Sequence, residues 1–271
     1  MRLIILVAAL LAIFSKNIIA QKLEQKVVSG IVLLNDKTAP DAQKILATLR
    51  KDWKLKTDSV NVGEKTVVFV GPGAATVMVA FLDYPAPAAD VATAARLSWL
   101  WKSGTEEALR HQSQVLISVV GTENKTLDLY KLFTAVVAGV MEQTNACGVY
   151  MADQYLLLSK GFYVAAAQNM RDHQTLPVYC WAYFGMTQEG EQSSAFTWGL
   201  QELGFTDMEI VNVPQSLSEV HAVLYDAAQT VIQYNLKLQD GQKFTTVEGQ
   251  ALTAKRSIGT YQKGDTFKLE Y

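Results

Sequence analysis

Over residues 126–143, Leu129, Leu132, Phe133, Val136, Val137, Val140 and Met141 recur at helical spacing and cover a broad apolar face. The spacing predicts the most buried helix of the chain, and no other stretch limits the fold as strongly. The segments around it alternate between strand and helix patterns. VVSGIVLLND is a β-rich run closed by a turn signal, and Pro40 and Asp41 then open a helix carrying Ala42, Ile45, Leu46 and Leu49 on one side, closing near Trp53. TVVFVGPGAATVMVAFLDYP reads as two strands joined by Gly71, Pro72 and Gly73, a hairpin. A phosphate loop fails there, because no lysine and Ser/Thr follow the second glycine and the next segment is a strand. PAPAADVATAARLSWLWKSG predicts a helix capped by Asp90 and stopped by Gly104, then a short helix over 105–111 and the strand QVLISVVG. The early order matches the split β-α-β pattern of ferredoxin-like domains.

The second half starts at the strand NACGVYMA. GFYVAAAQNM is predicted helical, LPVYCWAYFGM an internal strand, 193–203 a helix and DMEIVNVP extended. Ser216 and Glu219 form a capping-box signature for a helix to about Tyr234, with Val220, Val223, Leu224, Ala227 and Val231 inward. The turn at Gln239, Asp240 and Gly241 and the alternation in GDTFKLEY predict short antiparallel strands at the end. The expectation is an α+β (mixed α/β) protein, its mixed sheets packed with helices on one face. Two halves, 27–146 and 147–271, would pack as one compact unit.

Residues 1–20 read as a secretory signal peptide: Met1 and Arg2, the apolar run LIILVAALLAIF, and SKNIIA ending in a small residue. A membrane span needs about 20 apolar residues, more than this run holds. The expected location is periplasmic or secreted; because Ile18 and Ile19 prolong the apolar character, an uncleaved N-terminal membrane anchor is the alternative. Removing 1–20 takes away Arg2 and Lys16 and no acid, moving the formal charge from −2 to −4. That charge argues against a nucleic-acid partner. No basic cluster is evident for peripheral membrane binding either. Cys147 and Cys180 allow one disulfide or two separate thiols. Their spacing suggests no metal site, and no cofactor is expected.

The candidates for chemistry are few. His111, one of three histidines, follows Glu106 and Glu107 and would serve as a general base if a carboxylate oriented it. The structural alternative is a histidine capping the carbonyls at a helix end. Trp99 and Trp101, two residues apart, do not share a helical face, so one belongs in the core and the other can border a groove. His221 flanks the apolar stripe of its helix, and His173 sits in the polar stretch RDHQT. Glu209 points away from Met208 and Ile210, toward the other face of its strand. Gly199, inside a predicted helix, signals close packing.

GIVLLND, ALRHQSQVLISVVG followed by KLFTAVVAGVMEQTNACGVYM, TWGLQELGFTDMEIVN, LKLQDGQKFTT and RSIGTY together resemble the bacterial domain-of-unknown-function family numbered forty-two sixty-one. The resemblance spans 28–271 and implies a related fold without an activity. It also implies a second histidine three residues after the first, where this chain has Gln114, and cytoplasmic rather than exported relatives. The expected function is an exported bacterial protein that binds another protein or a small ligand without catalysis, an immunity-type role being one version. The alternative is a hydrolase-like enzyme using His111 with Glu106, Glu107 or Glu209. A structural envelope component exposing a large apolar patch is the third.

Overall fold

The structure, a computed structural model, describes residues 24–270; the expected leader lies outside them. The chain runs β1 (Gln25–Leu34), α1 (Ala42–Lys51), β2 (Asp58–Val62), β3 (Thr66–Val70), β4 (Thr76–Leu82), α2 (Ala88–Leu97), α3 (Gly104–Ala108), β5 (Ser113–Thr122), α4 (Thr126–Glu142) and β6 (Ala146–Met151), the strand in which the expected boundary at 146/147 falls. It continues with β7 (Leu156–Ser159), α5 (Lys160–His173), β8 (Tyr183–Glu189), β9 (Gln192–Trp198), β10 (Met208–Val213), α6 (Leu217–Gln233), β11 (Gln242–Thr245), β12 (Ala251–Ile258) and β13 (Asp265–Glu270). The fold is mixed α+β, with two mostly antiparallel sheets ordered β2-β3-β4-β5-β1-β6-β7 and β11-β12-β13-β10-β9-β8.

Within the first sheet, β6, β1, β5 and β4 lie side by side with every neighbouring pair antiparallel. β1 and β4 therefore run parallel with β5 between them, and α1 and α4 share the covering layer: this is the split β-α-β core the sequence predicts. The β2–β3 hairpin widens it beyond β4, and β7 beyond β6. α4 is buried nearly all round because α1 and α5 flank it on the sheet. Val28, Val32 and Leu34 of β1 face this layer, whereas Ile31 and Leu33 face the opposite side, where α2, α3 and Trp101 form a smaller second layer. The expected one-sided helix layer is thus α1, α4 and α5, with a pair added behind it.

The second sheet is covered by α6, whose capping box at Ser216 and Glu219 is present. Its last strand, β13, pairs parallel with β10; β11, β12 and β13 otherwise form the expected antiparallel end. The expected helix over 193–203 is instead β9 followed by a 3-10 turn, Leu200–Leu203. SSAFTW is too short for periodicity to separate helix from strand. Pairing with β8 across the Gly190 turn decides the matter. Gly199 is needed for its backbone, φ 103°, rather than for helix packing. LPVYCWAYFGM likewise divides into a 3-10 turn, Val178–Cys180, and β8.

One core joins both halves. Trp181 packs edge-on to Tyr130 at 5.9 Å and donates its indole N–H to Thr134 Oγ1 at 2.9 Å, and Gln154 Nε2 donates to the Tyr130 hydroxyl at 2.9 Å. These bonds satisfy polar groups that would be costly if left unpaired inside. Cys147 and Cys180 are separate free thiols. Burial pushes the Cys147 thiol up to about 11. Among the described residues no helix is long and apolar enough to cross a membrane.

Candidate functional site

The four residues HQSQ, 111–114, lie where the chain leaves α3 and enters β5. Each side chain is spent on the backbone of a neighbouring loop. His111 Nε2 accepts from the Ala86 N–H at 2.7 Å and Nδ1–H donates to the Ala108 carbonyl at 2.5 Å. Gln112 Nε2 donates to Asn35 O at 2.8 Å, Ser113 Oγ to Asp36 O at 2.5 Å, and Gln114 Nε2 to Tyr84 O at 3.2 Å. His111 and Gln114 together clamp the 84–86 segment that leads into α2. His111 is 5% exposed, and burial lowers its pKa below the usual histidine value. The pattern fixes a neutral imidazole with no free nitrogen for proton transfer. It joins α3 to the start of α2, a variant of the carbonyl-capping role.

The carboxylates proposed alongside it do not converge on it. Glu106 and Glu107 stand exposed on α3, Glu106 paired to Arg110 at 3.5 Å on the surface. Glu209 belongs to the other sheet and is fully buried. Its carboxylate accepts from the Thr260 N–H at 2.9 and 3.0 Å and from the Tyr261 N–H at 3.1 Å. It thereby holds the β12–β13 loop over the sheet, where Tyr261 stacks on Phe196 at 4.9 Å. Asp207, which the sequence did not single out, does the same for the turn after β9, accepting from Thr197 Oγ1 at 2.8 Å and the Leu200 N–H at 3.0 Å. Burial raises its pKa to about 6. Among the described residues no group of three His, Cys, Asp or Glu side chains is placed to hold a metal ion.

The two tryptophans differ in burial. α2 ends at Leu97, so both sit in the turn before α3 rather than on a helix. Trp101 is 6% exposed and packs on Gly104 and Gly148 within the second core layer. Trp99 is 36% exposed and fixed to the other half of the protein, its indole N–H donating to Phe184 O at 3.0 Å. Around it lies an aromatic cluster centred on Tyr179. Tyr225 stacks on Tyr179 at 4.4 Å, His221 lies parallel to it at 5.9 Å, and Trp99 meets it edge-on at 5.9 Å. The Tyr179 hydroxyl and His221 Nε2 are 3.4 Å apart, and burial lowers the His221 pKa. Leu97 and Tyr155, 39% and 41% exposed, adjoin Trp99 and continue the apolar surface. The crevice between them holds only about 10 Å³, room for a single water at most. His221 and Tyr225, four residues apart on α6, were the signal in the sequence; Tyr179 was hidden in a run that reads as an internal strand.

No family model, curated protein or solved structure matches the chain.

Proposed function

We propose that this chain is an exported bacterial protein that binds a protein partner without catalysis, a distant member of the family it resembles, periplasmic or secreted once its leader is removed. One observation carries the reading: the exposed edge of the aromatic cluster, Leu97, Trp99 and Tyr155, backed by Tyr179 and His221. Tyrosine and tryptophan dominate protein interfaces because they bury large area at low entropic cost while keeping a polar handle. The crevice at Trp99 is too small for a ligand, about 10 Å³, which favours another protein surface as its complement. An immunity-type role, neutralising one toxin stoichiometrically, is the version of this that an envelope location favours.

The test is capture from the native envelope by the wild-type protein and by the double variant Leu97→Glu/Tyr155→Glu, which alters exposed side chains only. The expected result is one partner held in stoichiometric amount and weakened at least about tenfold by the variant. Recovery of no stoichiometric partner, or equal recovery by both proteins, overturns the proposal.

A further inference from the structure

A second site, separate from the aromatic face and independent of that reading, lies where α4 crosses the ends of α1 and α5. A groove of about 440 Å³ opens there, against the turn between β3 and β4. Its floor is apolar: Leu129, Leu132 and Ala135 from α4, Trp53 and Leu55 after α1, and Met170 from α5. Its rim is cationic, with Lys125, Lys131 and Arg171 against one acid, Asp128. Arg171 is already engaged, paired with Asp172 at 2.7 Å and lying over the Trp53 ring at 5.1 Å. Lys125 and Lys131 have no ion-pair partner among the described residues. On a chain with a net negative charge, this concentrates free positive charge beside open apolar surface.

We infer that the groove binds a single-chain amphipathic anion, an alkyl carboxylate, with its chain along Leu129, Leu132 and Met170 and its head between Lys125 and Lys131. Two features set the class. The volume is that of a small-ligand pocket, mostly apolar with a few placed polar groups. The two unpaired ammonium groups then favour a charged head over a neutral one, through charge-assisted hydrogen bonds. A purely apolar ligand would leave both lysines unused, and a short polar anion would leave the floor wet.

The experiment is calorimetric titration of the purified full chain with sodium butyrate, octanoate and decanoate and with decanol, each below its aggregation concentration. Expected are saturable one-to-one binding of decanoate, tightening by about 5- to 15-fold from octanoate to decanoate, and no detectable binding of butyrate. Decanol is expected to bind at least about tenfold more weakly than decanoate. The double variant Lys125→Ala/Lys131→Ala, exposed and half-buried positions outside the core, is expected to weaken decanoate about tenfold and leave decanol unchanged. Leucine at Met170 in methyl-labelled protein assigns the methyl resonance that decanoate must shift. Absence of saturable decanoate binding, equal affinity for decanol, an unaffected lysine variant or an unmoved Met170 methyl each overturns the inference.

Discussion

Replacing His111 by alanine tests whether this histidine is a fastener or a catalyst. The substitution removes two hydrogen bonds, one from the Ala86 N–H and one to the Ala108 carbonyl, and both backbone residues are buried. A buried N–H left without a partner costs about 1–3 kcal/mol, and loss of the second bond adds about 1 kcal/mol. The expected destabilisation is therefore about 2–4 kcal/mol. In a chain of this size each kcal/mol moves the melting temperature by about 2–4 °C, so a fall of about 4–16 °C is expected at pH 7.5. The pH dependence gives a second, sharper readout. Folding lowers the His111 pKa, because burial opposes the charged form, and the bond from Ala86 requires the neutral ring. In the unfolded chain histidine titrates near about 6.5. The stability it contributes is complete above that pH and is lost as pH falls through the lower folded-state value. The wild type should then lose more stability between pH 7.5 and 5.5 than His111→Ala does; His221, shifted the same way in both proteins, cancels in the difference. Thermal unfolding at the two pH values reads both quantities. A melting temperature changed by less than about 2 °C, or identical pH dependence in the two proteins, refutes the fastening role.

Three further substitutions probe how the fold holds its backbone. At Gly148 an added Cβ meets Leu158 O and Trp101 Cζ3, each at 2.5 Å, and the carbonyl cannot swing aside. Gly148→Ala should cost about 1–3 kcal/mol in urea unfolding. Gly161→Ala, with nothing within 4 Å, should instead stabilise α5 by about 0.5–1 kcal/mol. Glu209→Gln replaces an acceptor oxygen with a donor facing the Thr260 and Tyr261 N–H groups, so the β12–β13 loop should open locally. Tryptic cleavage after Lys263, an exposed lysine in that loop, should accelerate at least about tenfold; an unchanged rate would count against the clamp.

What the sequence disclosed about the fold follows from where periodicity is long. α4 and α6 carry their apolar faces over 17 residues each, and both appear where predicted. The β3–β4 hairpin and the split β-α-β order were legible for the same reason. The failures are short. SSAFTW offers too few residues for a period, and β2 and β7, five and four residues long, were not anticipated. Each owes its state to pairing with a neighbouring strand rather than to a period of its own.

The site was less legible for a different physical cause. His111 and Glu209 look like chemistry in a sequence because ionisable groups are expected outside, or at work when inside. In the folded protein these two, and Asp207 with them, are buried where they bond backbone at loops and element ends: the Ala86 N–H and Ala108 carbonyl, the Thr260 and Tyr261 N–H groups, and the Leu200 N–H. An unpaired N–H inside the protein costs enough to repay burying an ionisable side chain that reaches it, and a carboxylate with two acceptor oxygens can serve two at once. Gln114 makes the point most directly. Its side-chain Nε2 holds the Tyr84 carbonyl, two residues from the Ala86 N–H that His111 accepts. His111, which suggested proton transfer in the sequence, in the folded protein secures with Gln114 the segment that enters α2.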